Sequence, residues 1–288
     1  MSVSNQAKRR GVMLDEIMRY HRETLPKVKR EVPLADLRAL ASVAPAVADF
    51  YGALKRPGVS LIAECKKASP SKGLLVNKYD PVALSQTYVA GGASAISVLT
   101  DGRHFQGSLA DLRDVKETVA SMKLDSWRRP TGIAVLRKDF IFDPYQVYEA
   151  RAAGADALLL IAAVLEGGEL ADLLALTNEL GMEALVEVHT ENEVERALAL
   201  SPRVVGINNR DLQTFEVDFA NTGRLRNLIP PEVVVVGESG IRNAEDVRQL
   251  ADLGVDAVLV GEILVKSKNL SAKVTELVRA APASYFSG

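Results

Sequence analysis

The sequence is poor in features that mark several classes of protein. It contains one cysteine, Cys65, which excludes an internal disulfide and leaves too few thiols for a cysteine-based metal site. No apolar run approaches the ~20 residues that a membrane-spanning helix needs. The formal net charge of −2 argues against a nucleic-acid or membrane-surface partner. The first ten residues include basic side chains but no apolar region follows them, so no secretory signal is indicated. We expect a cytoplasmic protein.

Length and composition fit a folded chain with one large domain. With 48% hydrophobic and 25% charged residues, the chain has the balance of an ordinary globular protein. An α/β barrel takes about 250 residues, so this chain would hold one barrel and an extension of roughly 40 residues.

Short hydrophobic runs recur eight times along the chain, and a segment with helical spacing follows each of them. Because the runs are almost continuously hydrophobic, they are typical of parallel strands covered by helices. The predicted strands are Ser60–Ala63, Ala95–Leu99, Gly132–Leu136, Ala157–Ile161, Ala184–Val188, Val204–Ile207, Val233–Val236 and Ala257–Val260.

The segments between the runs carry signals for the ends of helices. Asp80, Asp143 and Asn243 precede three of these segments, and such side chains cap the first turn of a helix. Three helix-to-strand junctions begin with a glycine that can adopt the left-handed conformation that ends a helix; these are Gly92, Gly154 and Gly254. Eight strand–helix units predict a single closed (β/α)8 TIM barrel of the α/β class. The competing open sheet usually carries a G-x-G-x-x-G turn after its first strand, and none follows Ala63.

The residues ahead of the first run have helical spacing of their own. They form two apolar stripes, one of Leu14, Ile17 and Met18 and the other of Leu34, Leu37, Leu40 and Ala41. We expect a helical extension over residues 1–55, packed on the mouth or flank of a catalytic barrel that spans residues 56–288.

Polar side chains follow several predicted strands, at the end of a barrel that carries active sites. Glu64 and Lys66 share one face of an extended segment, and Glu187 shares a face with Leu185. Charges that face a barrel interior must pair with each other or with a charged ligand. For any one pair, a structural ion pair is an equally good interpretation. Several strands that end in Glu or Lys at matched depth favour a functional site.

Glycine-containing turns follow the last two predicted strands. Ser239-Gly240 and Gly261-Glu262 stand where strand meets helix, and backbone N–H groups there can bind an anion. Each glycine alone could be a plain turn residue. Barrels commonly bind phosphate after strands seven and eight, so the two turns together predict a phosphate site.

These segments together resemble the indole-3-glycerol-phosphate synthase family. The resemblance runs along essentially the whole chain, and its most specific parts are Glu-x-Lys followed by Ser-Pro-Ser, and Lys-Asp-Phe-Ile. The segments that carry it are Leu14–Ile17, Ile62–Ser71, Phe105–Ser108, Leu136–Ile141, Leu185–Val188, Gly206–Leu212 and Gly237–Ile241. The resemblance implies a carboxy-lyase of tryptophan biosynthesis. Its substrate would be 1-(2-carboxyphenylamino)-1-deoxy-D-ribulose 5-phosphate, which it would cyclise to indole-3-glycerol phosphate with loss of carbon dioxide and water, without a cofactor or a metal.

The same resemblance assigns roles to individual residues. Lys138 matches the general acid, Glu187 the general base, and Lys66 a second lysine that donates in the dehydration; which lysine acts in which step stays open. Glu64 could keep Lys138 charged. The other implied site residues are Asn208 and Ser239 for catalysis, Ser69, Phe105 and Arg210 for substrate binding, and Ser239, Gly240, Gly261 and Glu262 for phosphate binding. A guanidinium can hold the substrate carboxylate with two hydrogen bonds.

Other residues receive structural interpretations. The Glu262 side chain would repel phosphate, so we expect only its backbone to face the ligand. Cys65 is expected to face the helix layer, and Lys72 to be a loop charge that attracts an anionic substrate. No family role matches His104 or His189.

Two alternative functions stay open. A phosphoribosylanthranilate isomerase would also be a phosphate-binding barrel, but it would not need two lysines and two glutamates on strands one, three and five. A catalytically silent barrel would be indicated by loss of Lys138, Glu64 or Glu187, and all three are present. For partners we expect a phosphorylated small molecule, no nucleic acid and no membrane, with the chain a monomer or weak homo-oligomer.

Overall fold

Eight parallel strands, β1 to β8, close into a barrel. The computed structural model describes the backbone of residues 3–122, 132–210 and 217–281, and their side chains from residue 13 onward. The strands are β1 (Ser60–Cys65), β2 (Ala95–Leu99), β3 (Ala134–Lys138), β4 (Ala157–Ile161), β5 (Glu183–Val188), β6 (Val204–Asn208), β7 (Val234–Glu238) and β8 (Ala257–Val260). Strand β1 pairs with both β2 and β8, which closes the ring. The predicted (β/α)8 barrel is confirmed.

Helices pack around the strands and over both ends of the barrel. They are α1 (Val3–Glu31), α2 (Leu34–Val43), α3 (Phe50–Leu54), α4 (Pro81–Ala90), α5 (Leu109–Ser121), α6 (Pro144–Ala152), α7 (Glu169–Glu179), α8 (Glu191–Leu198), α9 (Phe219–Arg226), α10 (Ala244–Asp252), α11 (Glu262–Val265) and α12 (Leu270–Val278). A short antiparallel hairpin joins Ala68–Ser69 to Gly73–Leu74. Among the described helices, none has the length and apolar character that crossing a membrane requires.

The predicted helix ends are confirmed. Asp80, Asp143 and Asn243 accept hydrogen bonds from backbone N–H groups in the first turns of α4, α6 and α10. The glycines at the junctions, Gly92, Gly154 and Gly254, have φ angles of 100°, 88° and 80°. These left-handed glycines end each helix so that the next strand can begin at once.

Several strands run further toward the mouth than predicted. Strands β2, β4 and β8 have the predicted bounds, but β1, β3, β6 and β7 end one or two residues later, and the starts of β3, β5 and β7 also differ by one or two residues. The ladder continues where the hydrophobic run has stopped, since Leu99 still pairs with Lys138 and Asn208 with Glu238. The polar residues at the mouth therefore belong to the strands themselves.

Alternation along β1 divides the core into two layers. Leu61, Ala63 and Cys65 belong to the apolar layer between strands and helices, whereas Ile62 belongs to the barrel interior. Cys65 is fully buried there, as predicted. Glu64 shares the parity of Ile62 and so points into the barrel.

Helix α1 lies over the mouth of the barrel. Met13, Leu14 and Ile17 line a cavity there, and Ile17 and Met18 are buried. The apolar stripe predicted for this helix therefore covers the open end of the barrel.

Helix α2 lies on the flank, against α6. Leu37 packs with Tyr145 of α6, and Ala41, one turn further on, is also buried. Leu34 and Leu40 are exposed, so this part of the predicted stripe was wrong. A ten-residue helix that contacts one neighbour buries a narrow stripe at i, i+4 spacing, and these two leucines fall on either side of it.

Helix α3 closes the end opposite the mouth. Phe50 and Leu54 are buried in the interior core together with residues that begin the strands, such as Ala134, Val204 and Val234. The N-terminal extension thus runs from the mouth, along the flank, to the bottom of the barrel.

Candidate active site

Two adjoining cavities occupy the mouth, with volumes of about 490 and 210 Å³. Residues that line both are Glu64, Lys66, Lys138, Arg210, Ser239 and Glu262. The larger cavity, the polar lobe, reaches the glycine turns after β7 and β8. The smaller one, the apolar lobe, is bounded by α1 and by Phe105 and Phe140.

Lys138, at the end of β3, lies where the two lobes meet. Its Nζ atom is 3.3 Å from a carboxylate oxygen of Glu238 and 3.7 Å from one of Glu187. Burial alone would lower the pKa of Lys138, but Glu238, Glu187 and Glu64 together raise it. Its ammonium group is therefore charged at neutral pH. The direct ion-pair partners are Glu238 and Glu187, whereas the ion pair of Glu64 is with Lys66.

Glu238 is a functional residue to which the sequence analysis assigned no catalytic role. It ends β7, is 2% exposed, and lies level with Asn208 in the ladder. Burial raises the pKa of Glu238 to about 7, although Lys138 opposes the rise. Within the described part of the chain, its Oε1 atom has no hydrogen-bond partner. This carboxyl group can therefore exchange a proton near neutral pH. Its position at a strand end was the signal in the sequence.

A glycine on the neighbouring strand makes space for Glu238. A Cβ atom at Gly206 of β6 would collide with the Glu238 carboxylate. Only glycine at this position lets the carboxylate lie against the β6 backbone, so the sequence of one strand sets the side-chain position on the next.

Glu187, on β5, is held by its neighbours. It is 4% exposed, and Asn208 donates a hydrogen bond of 3.3 Å to its Oε1 atom. Asn208 is fixed in turn, because its Oδ1 atom accepts the backbone N–H of Arg210 at 3.0 Å. The Nε2 atom of His189 lies 3.5 Å from the same Oε1 of Glu187. Burial would lower the pKa of His189, but Glu193 and Glu187 raise it. Through its contact with Oε1, His189 is a neighbour of the predicted base, Glu187.

Lys66 stands at the border of the apolar lobe. Its Nζ atom is 3.4 Å from Oε1 of Glu64 and 5.4 Å from the centre of the Phe105 ring, within range of a cation–π contact. A Cβ atom at Gly261 would collide with the Glu64 carboxylate. Glycine in the turn after β8 therefore leaves the space that the Glu64 carboxylate occupies in its ion pair with Lys66.

Two glycine-containing turns line the polar lobe, Ser239-Gly240 and Gly261-Glu262. Ser239 and Gly240 have φ angles of 65° and 84°, and a Cβ atom at Gly240 would collide with Val217. Left-handed residues in succession turn backbone N–H groups toward one side, which suits an anion.

Glu262 is the acidic residue of the second turn. Its Oε1 atom accepts hydrogen bonds from Lys72 at 2.6 Å and Lys266 at 2.9 Å. Burial would raise the pKa of Glu262, but these two lysines lower it. The carboxylate is thus neutralised by two cations, and Lys72, predicted to be a loop charge that attracts an anionic substrate, forms an ion pair with it.

The apolar lobe forms a slot between aromatic and aliphatic side chains. The rings of Phe105 and Phe140 lie 6.3 Å apart, and Leu159, Ile161 and the α1 side chains complete the wall. Ser69 lines its rim and accepts the backbone N–H of Lys72 at 3.3 Å. The slot has the character of a site for a planar ring.

The structure brings all the sequence-predicted site residues to this mouth. Ser69, Phe105, Glu187 and Asn208 line the apolar lobe, Gly240 and Gly261 the polar lobe, and the other six both lobes. Asp211 and Leu212, which belong to one of the segments that carry the resemblance, lie outside the described residues.

Comparison with known proteins gives the family. A model of the family described as indole-3-glycerol phosphate synthase matches residues 14–277. Curated relatives with that name include one from Dehalococcoides mccartyi (strain CBDB1), 49% identical over 93% of this chain and 100% of its own. Another, from Roseiflexus sp. (strain RS-1), is 50% identical over 92% of this chain and 97% of its own.

Solved structures with low identity share the fold. A thiamine phosphate pyrophosphorylase from Pyrococcus furiosus aligns with a TM-score of 0.59 at 14% identity, over 83% of this chain and all of its own. An N-acetylmannosamine-6-phosphate 2-epimerase from Clostridium perfringens aligns with a TM-score of 0.55 at 17% identity, over 76% of this chain and 93% of its own. These likenesses concern the barrel alone.

The predicted family and activity are confirmed by the match along nearly the whole chain, at identities near one half. The chain belongs to the indole-3-glycerol phosphate synthase family, the carboxy-lyases of tryptophan biosynthesis.

Proposed function

We propose that the two lobes bind the two halves of 1-(2-carboxyphenylamino)-1-deoxy-D-ribulose 5-phosphate, with the ketone at Lys138. The phosphate occupies the polar lobe, at the backbone of Ser239, Gly240, Gly261 and Glu262. The carboxyphenyl ring occupies the apolar lobe against Phe105. Arg210, which lines both lobes, holds the carboxylate, assisted by Ser69 at the rim.

The first chemical step forms a carbon–carbon bond. The ring carbon that bears the carboxylate attacks the ketone carbon, and the carbonyl π electrons move to the oxygen. Lys138 gives this oxygen a proton, which general-acid catalysis requires. Carbon dioxide then leaves, and the electron pair of its bond restores the aromatic ring.

The second step removes water. The new hydroxyl group departs with a proton from Lys66, while Glu187 removes the proton from the anilinic nitrogen. The nitrogen electron pair, acting through the aromatic ring, expels the hydroxyl group as water. The methylene carbon next to the nitrogen then loses a proton to Lys66, the electron pair of this C–H bond forms the double bond of the indole, and Glu187 returns its proton to the nitrogen. Asn208 orients Glu187 for this transfer through the hydrogen bond of 3.3 Å.

Glu238 serves as the partner of Lys138 in this scheme. Its contact of 3.3 Å keeps the lysine protonated before attack, and its pKa of about 7 lets it return a proton afterwards. Glu64 has the corresponding position beside Lys66. Each lysine thus has a carboxylate neighbour, which supports roles for both as acids.

The remaining parts of the proposal concern the whole chain. The extension, residues 1–55, and the barrel, residues 56–288, act as one unit, because α1 lines the substrate slot. The enzyme needs no cofactor for this reaction and works in the cytoplasm as a monomer or weak homo-oligomer, without nucleic acid or membrane partners.

One observation carries the proposal: a charged lysine between two carboxylates, placed between an anion-binding lobe and a ring-binding lobe. To test it, purified protein is mixed with the substrate in chelator-containing buffer, and indole fluorescence and carbon dioxide are followed together. A saturable rise in both is expected. Folded protein that binds the substrate without turnover would indicate a catalytically silent barrel.

The lysine is tested separately. Lys138→Ala should reduce turnover at least ~10²-fold, the usual scale for a positioned proton donor. Near-normal turnover in this variant would remove Lys138 from the mechanism, whereas a matched Lys67→Ala variant on the loop after β1 should keep it.

A further inference from the structure

Two histidines from separate parts of the chain meet at one carboxylate behind the apolar lobe. The Nε2 atom of His21, on α1, lies 2.6 Å from Oδ2 of Asp101, and the Nδ1 atom of His104 lies 3.0 Å from the same oxygen. Asp101 and His104 are in the loop that follows β2. The three side-chain atoms that could bind a metal lie within 4.8 Å of one another.

The carboxylate is held in place by the backbone. The Oδ1 atom of Asp101 accepts N–H groups from His104 at 2.5 Å and Phe105 at 3.3 Å, which leaves Oδ2 directed at both imidazoles. Metal-binding side chains are commonly oriented by such hydrogen bonds. The arrangement therefore brings one carboxylate oxygen and two imidazole nitrogens within 4.8 Å of one another.

The charge of this site calls for a cation. Asp101 is 2% exposed, and its ion-pair partners among the described residues are the two imidazoles. Buried charges in proteins are paired or coordinate metals, and a divalent cation bound by all three side chains would supply the positive charge. Aromatic side chains surround the cluster, with the Phe140 ring 5.6 Å from His21 and the Tyr20 ring 5.7 Å from His104.

We propose that His21, Asp101 and His104 bind one divalent cation of the zinc type and so fasten α1 to the barrel. Two imidazoles and a carboxylate are a ligand set that suits Zn²⁺ and its neighbours among the transition metals. Ligands at about 2.1 Å in tetrahedral geometry lie ~3.4 Å from one another. The contacts of 2.6 and 3.0 Å would open by less than about 1 Å to admit the ion, with water as a fourth ligand.

The role of this cation is structural. His21 lies one helical turn after Ile17, which lines the apolar lobe, so the ion would hold this part of α1 over the slot. The cluster lies behind Phe105 and Phe140 and has no contact among the described residues with Lys138 or Glu187. The reaction itself does not require the ion, and the proposal is independent of the proposed function.

The experiment uses untagged full-length protein that has been stripped with a chelator. Co²⁺ is titrated in at about pH 8 and its visible absorption recorded, and Zn²⁺ is then added to displace it; imidazoles must be deprotonated to bind. We expect one equivalent of Co²⁺ with the absorption of a tetrahedral site. His21→Gln and His104→Gln should each weaken binding by more than the ~10–100-fold that loss of a ligand's hydrogen-bond partner costs.

The chain offers a matched control, because it contains three histidines. The third, His189, contacts Glu187 and Glu193, so His189→Gln should bind one equivalent like the native chain. Circular dichroism of the metal-free variants tests whether they fold, and Zn²⁺ should raise the melting temperature of the native chain but not of the His21 and His104 variants. No stoichiometric binding, or binding that survives in both variants, would overturn the proposal.

Discussion

Replacement of Glu238 by glutamine removes one of the two carboxylates that form ion pairs with Lys138 and keeps the size of the side chain. At the observed 3.3 Å, the Coulomb attraction between the two charges is at most about 5 kcal/mol at an effective dielectric constant of ~20. That corresponds to a fall of about 3–4 units in the pKa of Lys138. Glu187 remains 3.7 Å from Nζ and limits the loss, so we expect a fall of ~2–3 units.

The native enzyme and the Glu238→Gln variant should therefore differ in the pH dependence of kcat/KM. In the native enzyme the rate should rise as pH passes about 7, because the Glu238 carboxyl has its pKa there and, once ionised, orients the Lys138 ammonium group through their contact of 3.3 Å. The variant has no such group, so this rise should be absent. On the alkaline side Lys138 loses its proton earlier, so the decline should move down by ~2–3 pH units.

The assay is the initial rate of indole fluorescence in overlapping buffers from about pH 5 to about pH 11. Glu149→Gln is the matched control, since Glu149 also pairs with a buried cation, Arg137, at 2.7 Å but lies outside the cavities. It should keep both limbs of the native profile. If Glu238→Gln also keeps both, then Glu238 does not control the charge of Lys138 and the reasoning fails.

Three further predictions concern stability, reactivity and packing. Asp156→Ala leaves Lys116 buried without the partner that it contacts at 2.6 Å, so the free energy of unfolding in urea should fall by about 3–5 kcal/mol; a loss below ~1 kcal/mol would contradict this. Cys65 is fully buried, and burial raises the pKa of its thiol. A disulfide reagent should therefore modify it only after denaturation, and rapid labelling of native protein would show that the strand–helix layer opens. Gly261→Ala introduces a Cβ that displaces the Glu64 carboxylate, so kcat/KM should fall by up to ~10²-fold, the effect of a small misplacement in an active site. An unchanged kcat/KM in the folded variant would show that this space is not needed.

The barrel could be predicted from the sequence because its signals are local. A hydrophobic run, a capping residue such as Asp80 and a glycine such as Gly154 each act within a few residues, and their repetition specifies strand and helix order. The strand ends could not be placed in this way. Lys138 and Asn208 continue the ladder, but they are polar because they face the cavity, so the hydrophobic pattern stops before the strand does.

The ion pairs between side chains on different strands could not be predicted from the sequence either. Alternation placed Glu64 and Lys66 on one face, and this pair is present. Alternation along a strand does not predict that Lys138 pairs with Glu238 and Glu187, because these contacts depend on the register and tilt of strands that are distant in sequence. His21 and Asp101 are separated by 80 positions and meet only because α1 crosses the mouth.

The course of the N-terminal extension has a consequence for how the chain is made. Phe50 and Leu54 pack against strand residues as late as Val234 and Ala257, which leave the ribosome roughly 200 residues later, or ~10–40 s at ordinary rates of translation. Over that time the apolar faces of α1, α2 and α3 have no barrel to cover. The interior core at the bottom of the barrel can therefore be completed only after β8 has been synthesised. Until then α3 presents an apolar surface on which the growing chain can aggregate or bind a chaperone.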